Sequence, residues 1–496
     1  MTTPDHTLQG LKDRYGESYR WLLLLSVMVG TMASVMSSTI VNVAIPDLSH
    51  HFGLGQERAQ WATSSFMAAM TVSMLATPWL LARYGYRRTY SGCMWLLLAG
   101  GIGGGLSADY GLVLLARVLE GLAAGVTQPI PAIIILRAFE PHEQGRASGL
   151  FGMGVVLAPA IGPSIGGLLV DAFGWRSIFF MVVPFCVVSL WLARRYVPVT
   201  APGGSAASAD GGGLDWRGLL LASVGTLCLL NGLVQSQTGS AVWAGVLLGA
   251  ASVCAAGFVV WQRHMLARVR RDPQVHAQPL MNLTLFADRR FAMGSLVAII
   301  YGTALFGSTY LLPVYLQMGL GLSASFVGAI LLPAGLLLAV TIALVGRLAD
   351  RQPAYRLVSI GLALLALSFA LMLTLGGPGT PWAVPMLVAW TVLGRVGLGF
   401  ILPSLNLGAM RSLPRTDIPQ GASVINFLRM LGGAAGVSVC GIVLESRLRA
   451  HGASLTSVGD TAARLAAFDD TFAMLAALCA LALLAAWRMR DAPSAR

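Results

Sequence analysis

The sequence predicts an all-α polytopic membrane protein: two six-helix halves with a helix pair inserted between them, fourteen transmembrane helices in all. Three observations lead there. Hydrophobic residues make up 56% of the 496-residue chain and charged ones 11%, with a mean hydropathy of +0.72. A soluble globular chain carries roughly 25% charged residues. Fourteen stretches approach the roughly 20 apolar residues that a spanning helix needs. Finally, the basic residues are sorted. With fourteen spans, 25 of the 33 fall in tails and loops on one side, five on the other (Arg58, Arg176, Arg447, Arg449, Arg464) and three within spans (Arg117, Arg395, Arg429). Basic loops mark the cytoplasmic side, and an even count returns both termini to it. The net charge of +12 is then a mark of topology, and a nucleic-acid partner is not implied.

A polar cytoplasmic tail, residues 1–20, opens the chain. It has no small-residue cleavage site, so the first span reads as a retained helix. The spans of the first half, 21–195, are 21–44, 60–81, 89–107, 111–135, 147–170 and 177–195. A cytoplasmic linker, 196–215, contains the polar run V-T-A-P-G-G-S-A-A-S-A-D-G-G-G, which reads as flexible. The inserted pair, 216–236 and 241–262, follows within 216–262. A basic cytoplasmic linker, 263–290, carries Pro273 and Pro279. The second half, 291–487, has spans 291–316, 323–346, 356–376, 383–408, 419–444 and 468–487, then a tail, 488–496. Trp61, Trp175, Trp382 and Trp487 lie near span ends and read as interfacial belt residues.

The halves resemble each other weakly. L-L-A-R-Y-G-Y-R-R (Leu80–Arg88) follows the second helix of the first half, and G-R-L-A-D-R (Gly346–Arg351) follows its counterpart. L-A-R-V-L-E-G (Leu115–Gly121) in the fourth helix is matched by L-G-R-V-G-L-G (Leu393–Gly399). Duplicated halves imply a pseudo-symmetric transporter with its substrate site near mid-membrane. In the fifth span Gly154, Ala158, Gly162 and Gly166 recur every four residues, a bare face on which another helix can approach closely. Pro159 and Pro163 each remove a backbone donor. This face reads as a packing seam and, more sharply, as a hinge or seal between two halves.

These residues resemble the major facilitator superfamily, and within it the fourteen-helix drug:proton antiporters of the EmrB/QacA type, over nearly the whole chain. S-S-T-I-V-N-V-A-I-P (Ser37–Pro46) is similar to the first-helix signature D-x-T-I-V-N-V-A-L-P. Leu80–Arg88 resembles the inner loop motif and Leu115–Gly125 the fourth-helix motif with its membrane Arg. Gly154–Gly167 resembles the antiporter motif. G-W-R-S-I-F-F (Gly174–Phe180) and L-D-W-R-G (Leu214–Gly218) are further matches. The resemblance implies a major-facilitator fold in a bacterial cytoplasmic membrane. It implies proton-coupled export of lipophilic drugs or toxic compounds by alternating access, residues 1–195 rocking against 283–496. It makes Gly154, Ala158, Pro159, Gly162, Pro163, Gly166 and Gly167 a hinge. Arg83, Gly85, Arg87, Arg88, Gly346, Asp350 and Arg351 become an inner gate. Two positions depart from it: Ser37 stands where the signature is acidic, and Ala82 where the inner loop motif has Asp.

Of the 21 acidic residues only Glu120 sits deep in a span, three residues after Arg117 and therefore on the same helix face. For a carboxylate so placed, burial favours the protonated form and a neighbouring cation the ionised form. Opening the surroundings to either side shifts that balance, as proton coupling requires. A static pair and a partner for substrate charge are the other readings. Thr31, Ser34, Ser38 and Asn42 form a polar stripe on the first helix and, with Phe66, Met70, Tyr310 and Arg395, are candidates for lining a substrate cavity. Aromatic and methionine side chains suit bulky lipophilic ligands. No cofactor, metal site or disulfide framework is implied. There is no G-x-x-x-x-G-K-[ST] loop, no H-E-x-x-H and no G-x-S-x-G in a usable setting, so no enzyme is read. Partners are the small-molecule substrate, protons, the lipid bilayer and, by analogy, a periplasmic membrane-fusion adaptor meeting the loop 445–467. Alternatives are a narrow-substrate or proton-uncoupled exporter, and a non-transporting membrane sensor.

Overall fold

The computed structural model describes residues 6–208, 212–238, 241–271, 279–375, 383–453 and 461–490. Pro273, Trp382 and the side chain of Pro163 lie outside the described residues. The regular structure in these is helical, and the chain divides into two compact units. The first comprises Met1–Ser223, Gly257–Leu283 and Leu413–Phe427; the second comprises Val224–Ala256, Thr284–Ser412 and Leu428–Arg496.

The first unit begins with a short polar helix α1 (Leu8–Tyr15), capped by Thr7, whose hydroxyl accepts from Gly10 N. Then come α2 (Tyr19–Ile40), α3 (Ile45–His51), α4 (Gln56–Ala59), α5 (Trp61–Ser73), α6 (Thr77–Gly105), α7 (Tyr110–Thr127), α8 (Ile130–Ala138), α9 (Gln144–Phe173), α10 (Ser177–Phe180) and α11 (Val182–Tyr196). The fourth sequence-read span is thus two helices, separated at Gln128–Pro129. In the second unit α14 (Arg289–Val314), α15 (Ala324–Ala349), α16 (Ala354–Met372), α17 (Ala383–Met410) and α19 (Thr461–Arg488) pack together, with most of α18 (Ile418–Ala450). The helices of the inserted pair are α12 (Trp216–Thr238) and α13 (Ala241–Arg271).

The helix pairings of the two units repeat. In the first, α5 and α6 both pack on α7, α2 packs on α7 and α9, and α11 packs on α2 and α6. In the second, α15 and α16 both pack on α17, α14 packs on α17, and α19 packs on α14 and α16. The α2–α9 contact also has its counterpart: Gly432 and Gly436 of α18 sit against Ile299 and Thr303 of α14.

Among the described residues twelve helical segments are long and apolar enough to cross a membrane. The sequence reading has fourteen spans. The difference lies in two places. Trp61–Gly105 holds two sequence-read spans, with Gly85 (φ 77°, ψ 175°) turning the chain between them, and Gln144–Phe173 is not among the twelve.

Two expectations are corrected. The run 199–213 is read from composition as flexible, yet its described part is docked on the Leu80–Arg88 turn. Tyr86 N and Arg87 N donate to Thr200 O and Pro198 O (both 3.0 Å), Ser208 N donates to Ala82 O (3.2 Å), and Val199 N donates to His6 O (3.1 Å). Trp79 Nε1 donates to Gly212 O (2.8 Å). A Cβ at position 85 would stand 2.1 Å from Val199 O, so glycine is required there by both its φ and its neighbour. The second correction is Trp175. It is no belt residue but 6% exposed, packed against Phe52, His51 and Phe179. Gly174 (φ 78°) turns the chain just before it and carries the ring inward. Trp61 and Trp487 are exposed, as belt residues would be.

The L-D-W-R-G motif has a structural task. Asp215 is buried. Its Oδ1 accepts from Gly218 N and Trp261 Nε1 (both 2.8 Å) and its Oδ2 from Gln262 Nε2 (2.6 Å). One carboxylate therefore caps α12 and ties it to the end of α13. Replacing it strands three donors. Asp215→Ala is expected to lower stability by about 2–3 kcal/mol, read as an earlier unfolding transition in detergent, with Asp215→Asn intermediate.

Candidate functional site

The site forms where α2, α5, α6 and α7 meet in the first unit. Arg117 and Glu120 project from one face of α7, and both are buried, at 1% and 0% exposure. A guanidinium shut away from water must have its donors met by protein. Arg117 Nε donates to Ala62 O on α5 (3.0 Å), Nη2 to Ser37 O on α2 (3.1 Å), and Nη1 to Ser37 Oγ (2.9 Å) and Glu120 Oε2 (2.5 Å). Its plane lies over the Phe66 ring, 4.3 Å from the centroid, a cation–π contact strengthened by desolvation. Ser37 completes the knot: its hydroxyl accepts from Arg117 and donates to Glu120 Oε2 (3.2 Å).

Glu120 Oε2 thus has two partners, whereas Oε1 is buried with no hydrogen-bond partner. Gly100 and Gly101 of α6 make room for this carboxylate. A Cβ on Gly100 would stand 2.6 Å from Glu120 Cγ, and one on Gly101 would stand 3.7 Å from Oε1. The glycines of α7 bring α5 equally close, since a Cβ on Gly125 would stand 2.1 Å from Met70 O.

The other sequence-read candidates fall in several places. Thr31 and Ser34 are fully buried on α2, where Thr31 Oγ1 donates to Val27 O and Ser34 Oγ to Gly30 O; Ser34 also lies 3.4 Å from Thr127 Oγ1. Ser38 turns back on its helix, donating to Val35 O, and exposed Asn42 accepts from Thr63 Oγ1. Phe66 and Met70 are buried. Tyr310 and Arg395 belong to the second unit and are half-buried. There, buried Tyr301 lies within electrostatic range of both Arg395 and Arg429. The bare face of α9 meets α2 of its own unit: Cβ atoms on Gly154, Gly162 and Gly166 would approach Met28, Met36 and Ile40. Of the inner-turn residues, Gly85 and Gly346 are buried, Arg88 and Arg351 are exposed, and Arg83, Arg87 and Asp350 are half-buried.

Sequence reasoning paired Arg117 with Glu120 but missed that Ser37, Ala62 and the Gly100–Gly101 step complete the site. A signal for Ser37 exists: Gly30, Ser34 and Ser37 are spaced as one helix face.

The sequence profile described as the Major Facilitator Superfamily matches residues 27–437. The chain belongs to that superfamily. It is 31% identical over 446 residues to the uncharacterised MFS-type transporter Rv1250 of Mycobacterium tuberculosis, covering 88% of this chain and 73% of the relative. It is 28% identical over 428 residues to a multidrug resistance protein B homolog of the same organism, covering 85% and 76%. Among solved structures it is similar to the proton:xylose symporter XylE, with TM-score 0.65 and 13% identity, covering 95% of this chain and 96% of that one. The chain is therefore a multi-pass transporter of small-molecule substrates.

Breaking a buried ion pair is costlier than removing it whole. Arg117→Leu alone is expected to destabilise by about 3–5 kcal/mol, and the Arg117→Leu/Glu120→Leu double variant by clearly less. Equilibrium unfolding of the three proteins in detergent checks this. A double variant less stable than Arg117→Leu would mean that the two residues do not act as a pair.

Proposed function

We propose that this transporter is a proton-coupled exporter of lipophilic, toxic compounds in a bacterial cytoplasmic membrane, with Glu120 as proton carrier. The observation that carries the reading is the unpartnered, buried Oε1 of Glu120 beside an Arg117 that is also held by Ala62 and Ser37. A proton can be taken up on that oxygen without dismantling Arg117's bonds to Ala62 and Ser37. An ionisable group at such depth is retained for function more often than for packing. The name of the multidrug resistance relative supports the substrate class.

In this reading the chain crosses fourteen times, the two arms of Trp61–Gly105 and α9 each counting as a crossing, with both termini cytoplasmic. Thr31, Ser34, Ser38, Asn42, Phe66, Met70, Tyr310 and Arg395 face the substrate path as the halves rock. The α9 face from Gly154 to Gly167 is the hinge, and the turns at Arg83–Arg88 and Gly346–Arg351 form the inner gate. A second reading, export without proton coupling, is favoured by one feature: Oε2 of Glu120 is already held by Arg117 and Ser37, which favours a permanently ionised pair.

Ethidium efflux driven by a pH gradient in inverted vesicles separates the two. Proton coupling through Glu120 predicts that Glu120→Gln loses gradient-driven transport by about tenfold or more, the scale of a coupling free energy above 1 kcal/mol, while substrate counterflow persists. If Glu120→Gln pumps and releases protons like the parent, the carrier assignment is wrong and the pair is structural.

A further inference from the structure

At the end of the first unit that carries the Leu80–Arg88 turn lies a cavity of about 930 Å³. Its walls come from distant parts of the chain: α1, the docked linker, the inner end of α13, and the segment that leads into α18. Among the described residues three cations line it, Lys12, Arg137 and Arg415, against one carboxylate, Asp417. Arg137 and Arg415 lie within electrostatic range of each other, so two like charges are held together. Arg137 Nε is buried with no hydrogen-bond partner. Its guanidinium is pressed against the linker, where a Cβ on Gly203 (φ 104°) would stand 2.7 Å from Nη1. Beside the cations the wall is apolar, with Leu23, Leu266 and Val269.

A buried donor left unmet is costly and calls for a partner, and a cleft lined by one sign of charge concentrates the opposite sign. Arginine forks match phosphate oxygens with two parallel bonds. Basic pockets beside apolar helix ends suit phosphate headgroups. We propose that this cleft is a binding site for a phosphate-bearing anion, held by Arg137 with Lys12 and Arg415. The apolar wall supplied by Leu266 and Val269 gives the end of the inserted helix pair a part in it. The site is separate from the Arg117–Glu120 knot and holds whatever the transported compound proves to be.

Two sources present this chemistry, a phospholipid headgroup and a free phosphate. The purified full chain is offered equal amounts of phosphatidylglycerol and zwitterionic phosphatidylcholine, and retained lipid is read by native mass spectrometry. In parallel, thermal unfolding is followed with inorganic phosphate against chloride at matched ionic strength. Preferential retention of phosphatidylglycerol identifies the headgroup. Stabilisation by phosphate alone identifies a soluble ligand. In either arm the effect should fall about fivefold in Arg137→Gln, the scale of one lost charge-assisted hydrogen bond, and should partly survive in Arg137→Lys. Lys12→Gln, on an exposed position of α1, gives the same direction of change without risk to the core. Arg263→Gln, exposed on α13 outside the cleft, should leave the effect intact. The proposal fails if the parent shows neither preference, if both Arg137→Gln and Lys12→Gln behave like the parent, or if Arg263→Gln loses the effect equally, which would mean diffuse charge attraction.

Discussion

Arg117 brings five N–H donors into a place where water does not reach, and much of the first unit follows from where those donors must go. No single helix supplies the acceptors. One is a main-chain carbonyl of α5, another a carbonyl of α2, and the rest are the Ser37 hydroxyl and the Glu120 carboxylate. These four bonds tie three helices together in one register. Packing within apolar surroundings cannot do that, because lipid and side chains offer a helix nearly the same contacts. The polar knot therefore specifies the arrangement, and the glycines make it attainable. Gly100, Gly121 and Gly125 let α6 and α5 approach α7 to backbone contact.

The second unit repeats the helix pairings but not this chemistry. It too carries an Arg in its fourth helix, yet at the position matching Glu120 it has Leu398. Its arginine shares surroundings with Tyr301 and Arg429. One fold template thus carries an Arg–Glu pair in one copy and, at the matching step of the other, an arginine followed by Leu398.

Much of this was legible in the chain. Helices stand where apolar length places them, and the three-residue spacing of Arg117 and Glu120 is enough to pair them. What was not legible depends on contacts distant in sequence. Ser37 is 83 residues from Glu120, and no periodicity sets the register between α2 and α7. The linker was misjudged because small polar residues are common to flexible chain and to chain pinned by its own amides. Trp175 was misjudged because its place at a span end says nothing of which way a positive-φ glycine turns it. Of the two spans by which fourteen exceeds the twelve apolar segments, one is the second arm of Trp61–Gly105, set off by the non-helical Gly85, and the other is Gln144–Phe173.

The knot also has a mechanical side. Both of its formal charges ride on α7, one turn apart, so the ionised pair is neutral on that helix alone. What fastens α2 to the pair is a serine hydroxyl and a carbonyl oxygen, with no ionised group on α2. Displacing α2 against α7 therefore separates no opposite charges, and what it stretches are the bonds of Ser37 to the Arg117 guanidinium and the Glu120 carboxylate. Had the acid stood on α2, the same excursion would have pulled an anion from a cation in a medium of low dielectric. By keeping both charges on one rod, the chain makes the ion pair independent of where α2 sits.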